Sequence, residues 1–171
     1  MPDTPALVIN TGPLIALVAA LGDLSILQMY DRVRVPREVS QEILVGGPGQ
    51  FAVAACEAAH WLQKNAAPMD NIAAVLRNAL DSGAAAVIQL ALNENIQTVC
   101  IDEIAGRRVA RLHGLAVTGS IGVLLRARRA GYNSSLQDAL ERMRNSGVWL
   151  SDRVSNFALA QADIHPEIQD G

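Results

Sequence analysis

Ala6-Leu7-Val8-Ile9-Asn10-Thr11-Gly12-Pro13 decides the fold. Four apolar residues in a row have the length of a buried strand. Asn10 to Gly12 then supply turn and cap chemistry, and Pro13 suits the first turn of a helix. Working outward, the same alternation repeats. A helix is expected at about 13–20 and a second at about 23–30. Arg32-Val33-Arg34-Val35 alternates like a strand and stops at Pro36, which opens a helix over 36–45. Gly46-Gly47-Pro48-Gly49 breaks the chain. Ala-rich segments at about 50–59 and 70–79 read as helices, and Asp81-Ser82 caps another at about 83–93. Thr98-Val99-Cys100-Ile101 is a second buried strand, followed by a helix at about 104–112 and a short strand Leu115-Ala116-Val117. Helices near 120–130, 135–145 and 152–161 complete the pattern. Strands alternating with helices imply an α/β fold of three layers, a short parallel sheet covered by helices on both faces. One domain over 1–171 is expected.

Composition narrows the class. The chain has 171 residues, half of them hydrophobic, with 14 Lys+Arg against 17 Asp+Glu and a net charge of −3. No apolar run approaches the ~20 residues of a membrane span. Met1-Pro2-Asp3 lacks the basic region of a signal peptide, so a cytoplasmic location is expected. Cys56 and Cys100 read as small buried thiols. The acidic balance and the few aromatic residues argue against a DNA-coating protein and against an extended base-stacking platform. The charge is uneven, however. Residues 101–153 hold nine basic and five acidic residues, whereas 1–100 hold five and nine. This basic segment is either a solvated helix face or a contact surface for an acidic partner.

In parallel sheets, ligand chemistry gathers beyond the carboxyl ends of the strands. Two strands here end in a polar residue at that edge, Asn10 after Ile9 and Asp102-Glu103 after Ile101. Within the helix 36–45, Glu42 shares a face with Val39 and Ile43, which such a helix buries. A carboxylate there requires a partner. The partner is either an arginine at the sheet edge or a hard divalent cation shared with Asp102.

The order of five blocks is similar to a known family. Val8-Ile9-Asn10-Thr11-Gly12-Pro13-Leu14-Ile15-Ala16-Leu17 comes first, then Val35-Pro36-Arg37-Glu38-Val39-Ser40-Gln41-Glu42, then Leu80-Asp81-Ser82-Gly83-Ala84 through Ile88. Ile101-Asp102-Glu103 through Gly106-Arg107-Arg108-Val109-Ala110 follows, and Val117-Thr118-Gly119-Ser120 through Ala127 closes the set. Together, over about 6–130, they resemble the prokaryotic toxin-like branch of the PIN-domain superfamily, with about 131–171 as a C-terminal helical extension. The resemblance implies acidic residues from four blocks converging at the strand edge to hold Mg²⁺ or Mn²⁺, which activates water for phosphodiester cleavage, usually of RNA. It also implies a ribonuclease toxin silenced by an antitoxin, often as a homodimer. The chemistry is that of metal-ion catalysis and requires no nucleophilic side chain. His60, His113 and His165, scattered through the chain, then read as surface or packing residues.

The sequence departs from that pattern at two places. The family's four acidic positions fall on Asn10, Glu42, Ala84 and Asp102, of which only Glu42 and Asp102 are acids. Asn10 still offers a carbonyl oxygen, while Ala84 is a degenerate position that offers nothing. Glu103 is a further metal-ligand candidate, although an extended backbone points it away from Asp102. Asp81 is either a substitute acid or the helix cap. Thr11, Arg107, Arg108 and Ser120 are the candidate nucleic-acid contacts, with Ser120 at a helix start and the arginines on the RNA backbone. Arg126, Arg128 and Arg129 either join them or balance a helix C-terminus. Weakened catalysis is one reading, a silent RNA- or protein-binding relative the other. Val154, Phe157, Ala158 and Gln161 follow helical spacing and read as core packing or as a partner contact.

Overall fold

The computed structural model describes residues 5–46 and 50–163. Five strands, β1 (Ala6–Ile9), β2 (Arg32–Val35), β3 (Gln63–Lys64), β4 (Thr98–Cys100) and β5 (Ala116–Thr118), form one sheet in the order β3-β2-β1-β4-β5. Every pairing is parallel. The apolar run of β1 is central because it is buried on both faces: Leu7, Val8 and Ile9 have no solvent exposure. From β1 the chain steps outward to β2 and β3, then returns to the other side of β1 as β4. The connection therefore reverses between β1 and β4, which is where open parallel sheets form their ligand crevice.

Helices α1 (Thr11–Leu21), α2 (Arg37–Val45), α3 (Ala52–Ala58), α4 (Ala74–Ala79), α5 (Ser82–Asn93), α6 (Ile104–Leu112), α7 (Ser120–Arg129), α8 (Leu136–Asn145) and α9 (Asp152–Asp163) flank the sheet. α5 packs on β1 and β4 and against α2, α4 and α6, while α1 packs against α3, α7 and α8. α1 stops at Gly22, whose φ of +83° lets its N–H reach Val18 O at 2.7 Å. The guanidinium of Arg142 on α8 donates to Ala20 O, placing a cation at the same helix end. Leu14, Leu17, Leu27, Leu76, Ile88, Ile101 and Met143 are the large side chains of the core. Each such burial is worth about 1.5–3 kcal/mol.

Most elements lie within two residues of their expected positions, with three corrections. The segment expected as a helix at 23–30 is a 3-10 turn, Ser25–Met29, and the buried residues Leu24, Leu27 and Tyr30 recur every three positions, the period of that turn. The helix expected at 70–79 begins at Ala74. The two residues of β3 carry exposed side chains, so no apolar pattern announced that strand. Both cysteines are free and buried. No described helix is long and apolar enough to cross a membrane. His165 and the extension beyond Asp163 lie outside the described residues.

Candidate active site

Parallel register brings three strand ends into one row, since Ile9 pairs with Cys100 and Cys100 with Thr118. Asn10, Asp102 and Ser120 leave that row one or two residues later. Asn10 N donates to Cys100 O at 3.0 Å, and Ile101 N donates to Thr118 O at 2.9 Å, which fixes the backbone beneath the site. Asn10 sits at the N-cap of α1, yet its side chain makes no capping bond. It is 3 % exposed, and its Oδ1 has no hydrogen-bond partner. A buried carbonyl oxygen without a donor costs about 1–3 kcal/mol, so this atom is where a ligand of positive character is wanted.

α2 delivers Glu42, half-buried, to the same edge. The Thr11 hydroxyl donates to its Oε2 at 2.6 Å. A Cβ at Gly83, in the first turn of α5, would stand 2.5 Å from Oε1. The carboxylate is thus seated on a helix N-terminus through a residue that leaves room for it. The arginine alternative does not hold: among the described residues Glu42 has no arginine partner, and Arg34 binds Glu94 at 2.6 Å instead. Asp102, beyond β4, accepts from Ser120 N at 2.7 Å through Oδ1. Arg107 donates to Ile101 O at 2.9 Å, tying its guanidinium to the same turn. Gly119 completes this corner, because a Cβ there would come within 2.5 Å of Asp102 Oδ1 and 2.9 Å of Arg107 Nη1.

Asp102 and Glu103 keep solvent contact, but the concave edge crowds both carboxyl groups. Burial pushes the Asp102 carboxyl up, and hydrogen bonds from Ser120 with the nearby Arg107 guanidinium offset this only in part. Burial also pushes Glu103 up, reinforced by the charge of Asp81, a hydrogen bond with Asp81, and the charges of Glu42 and Asp102. Four carboxyl groups therefore share one edge. Asp81 is the N-cap of α5, its Oδ1 accepting from Ala84 N at 2.8 Å, and it meets Glu103 as well. The extended-backbone argument turned Glu103 away from Asp102. Glu103 is the N-cap residue of α6, its backbone is extended, and Asp81 is the nearest charge that acts on it. Ala84 is fully buried and offers no ligand.

The other expected contacts are placed differently from one another. Ser120 is 3 % exposed with its N–H on Asp102, and the Thr11 hydroxyl is on Glu42, so both orient carboxylates. Arg108 is exposed on α6. Arg126, Arg128 and Arg129 occupy the last turn of α7, roughly 9–14 Å from its start by helix rise, and Arg126 lies over the Tyr30 ring. His60 is exposed, and His113 bonds Val109 O at the end of α6. Sequence reasoning missed the orienting roles of Thr11 and Ser120 and the clearance at Gly83 and Gly119. The only signal for the latter was a glycine beside each acidic block.

Residues 6–163 match a family model described as a PIN domain. The chain belongs to the PIN-domain family. The match includes α8 and α9, so the PIN domain extends past the blocks recognisable in the sequence. No curated protein and no solved structure gives a significant match. A PIN domain is a nuclease-type fold that typically uses divalent metal ions. Among the described residues no group of three or more His, Cys, Asp or Glu able to hold an ion is assembled. Of the acids at this edge, Glu42 and Asp102 stand at two of the family's acidic positions, with Glu103 beside them, and Asn10 adds a partnerless oxygen. That set fits Mg²⁺ or Mn²⁺, which is commonly held by one or two carboxylates with water and phosphate oxygens completing the shell, and it does not make a closed cage.

Proposed function

We propose that this PIN domain is a metal-dependent endoribonuclease of reduced activity, with Asn10, Glu42 and Asp102 as metal ligands and Glu103 as an auxiliary one. The observation that carries this reading is the buried, partnerless Oδ1 of Asn10 at the strand edge that also holds Glu42 and Asp102. Mg²⁺ or Mn²⁺ bound there would supply activated water and charge neutralisation for phosphodiester hydrolysis. The chain's own residues do the positioning. Thr11 holds Glu42, Ser120 holds Asp102, and Gly83 and Gly119 leave the space each carboxylate occupies. Arg107 and Arg108 supply positive charge to the RNA backbone beside the site. The loss of acids at positions 10 and 84 lowers ligand charge and hence metal affinity. A protein antitoxin, a homodimer and a cytoplasmic location belong to the same proposal and rest on the family resemblance.

The test is RNA cleavage in Mn²⁺ by this protein beside Glu42→Gln and Asp102→Asn. The account expects loss of cleavage in both variants with RNA binding retained. Ala84, buried and without a donor, supports the competing reading, a catalytically silent RNA- or protein-binding relative. Equal background from all three proteins would establish it.

A further inference from the structure

Beside Asp102 the surface opens into a groove of about 450 Å³ between α6, β5, α7 and α9. Ile104, Val117, Ile121, Leu125, Val154 and Phe157 form its apolar walls, and Asp102 and Arg107 supply its charge. α9 lines it because the packing stripe expected in that helix divides. Ala158 is buried beside Ser155 and Ala162, whereas Val154 and Phe157 stay 39 % and 57 % exposed over the groove. Ile104, on α6, is 87 % exposed. Exposed apolar surface in a concavity of this size is the ordinary form of a small-molecule site.

The two charges decide which ligand. Asp102 Oδ1 and Arg107 Nη1 converge on one point, 2.5 and 2.9 Å from where a Cβ on Gly119 would stand. They do not pair with each other, and the ion pairs among the described residues are Arg32 and Arg34 with Glu94 and Arg144 with Asp152. The hydrogen bonds they make, Ser120 N to Asp102 and Arg107 Nη1 to Ile101 O, hold both in place without neutralising either charge. In the groove an anion would meet Asp102 as well as Arg107, and a cation would meet Arg107 as well as Asp102. A wholly apolar molecule would cover both charges unpaired, which is costly. A molecule with one charge of each sign on neighbouring groups and an apolar body satisfies the carboxylate, the guanidinium and the walls together.

We propose that the groove binds a free α-amino acid with a large apolar side chain, its ammonium on Asp102, its carboxylate on Arg107 and its side chain against Ile121, Leu125 and Phe157. Both contacts are charge-assisted hydrogen bonds, and the side chain takes the exposed walls out of water. The site is separate from the proposed metal set, since neither Asn10 nor Glu42 lines the groove, and it does not depend on the ribonuclease reading. The two sites share Asp102. A metal ion on that carboxylate weakens its hold on an ammonium, so by linkage the amino acid weakens the metal, which makes it a negative effector.

The test is an amide NMR titration of isotope-labelled protein in EDTA, where the outcome is independent of metal. The probes are L-leucine and L-phenylalanine, with three analogues that each lack one feature: isocaproate the ammonium, isoamylamine the carboxylate and glycine the side chain. The amino acids are expected to shift the amides of Gly119, Ser120 and Phe157 saturably. Each analogue should bind roughly tenfold more weakly than L-leucine, the scale of one charge-assisted hydrogen bond or one buried apolar side chain. Arg107→Gln should remove the advantage of L-leucine over isoamylamine while isoamylamine still binds, and Asp102→Asn should remove its advantage over isocaproate. Phe157→Ala, at an exposed position, should weaken L-leucine and isoamylamine alike, with thermal melts confirming that each variant is folded. The proposal is overturned if neither amino acid gives a saturable shift, if isocaproate or isoamylamine binds as tightly as L-leucine, if the shifts lie away from the groove, or if folded Arg107→Gln keeps the full preference. The analogue series on wild-type protein decides the matter even where a variant fails to fold.

Discussion

Replacing Gly119 with alanine adds one methyl group to the most crowded corner of the site. The backbone there is extended, with φ −134° and ψ −175°, so alanine adopts it without strain. The new Cβ would lie 2.5 Å from Asp102 Oδ1 and 2.9 Å from Arg107 Nη1. Ordinary non-bonded contact is nearer 3.5 Å, so the carboxylate must retreat by about 1 Å. Its 2.7 Å bond from Ser120 N does not survive such a shift. A hydrogen bond to a charged group is worth about 1.5–3 kcal/mol, and the lower unfolded-state entropy of alanine returns about 0.4–1 kcal/mol. The net loss is about 1–2 kcal/mol, which at this chain length lowers Tm by roughly 2–8 °C. A ligand misplaced by 1 Å can cost ~100-fold in rate, so cleavage should fall far more than stability. Thermal unfolding and Mn²⁺ titration calorimetry read both effects. Gly12→Ala is the control, since its Cβ meets nothing within 4 Å and should leave Mn²⁺ binding unchanged. The reasoning is refuted if Gly119→Ala matches Gly12→Ala in both stability and Mn²⁺ affinity.

Three further outcomes are expected. Asp81→Ala removes the α5 cap and should cost about 1 kcal/mol in urea unfolding, and an unchanged midpoint would mean that the Ala84 N–H finds another acceptor. Glu103 is pushed up in the folded protein, so the native state holds its proton more tightly than the unfolded chain does. The stability this confers is complete below the ordinary glutamate value of about 4.3 and is lost as pH rises through the folded value. Glu103→Gln, always uncharged, should therefore have a higher Tm than wild type at pH 7 without metal, with the gap closing near pH 4. A Glu103→Gln protein that is less stable at pH 7 would contradict the carboxyl crowding. Asn10→Asp with Ala84→Glu restores both missing acids and should tighten Mn²⁺ binding at least tenfold in calorimetry. A folded double variant with unchanged affinity would show that these positions do not face the metal.

The sheet was legible because its central strands carry the strongest pattern a sequence offers. Leu7-Val8-Ile9 and Val99-Cys100-Ile101 are apolar without interruption because both faces of those strands are covered. β3 was not legible, for the opposite reason: its two exposed residues join the sheet through backbone bonds to β2 and bury no side chain. Glu42 stood out through its position on an apolar helix face, and Asp102 through its place at a strand end. What surrounds them was hidden, because contacts such as Thr11 to Glu42 and Ser120 to Asp102 span 31 and 18 positions and follow no periodicity. Glu103 shows the limit of local geometry. Strand alternation directed it away from Asp102, and its backbone is still extended at the N-cap of α6, but its neighbours, Asp81 and Glu42 on other elements, follow from no local rule. In α9 the expected stripe divides: Ala158 is buried beside Ser155 and Ala162, as core packing requires, while Val154 and Phe157 stand exposed.

Anomalous scattering from crystals soaked in Mn²⁺ tests the central claim most directly. The account predicts a manganese peak bounded by Asn10 Oδ1, Glu42 and Asp102, at oxygen distances of about 2.1 Å, with Asn10 Oδ1 no longer partnerless. Density confined to other carboxylates, with Asn10 Oδ1 still buried against no donor or cation, would contradict it.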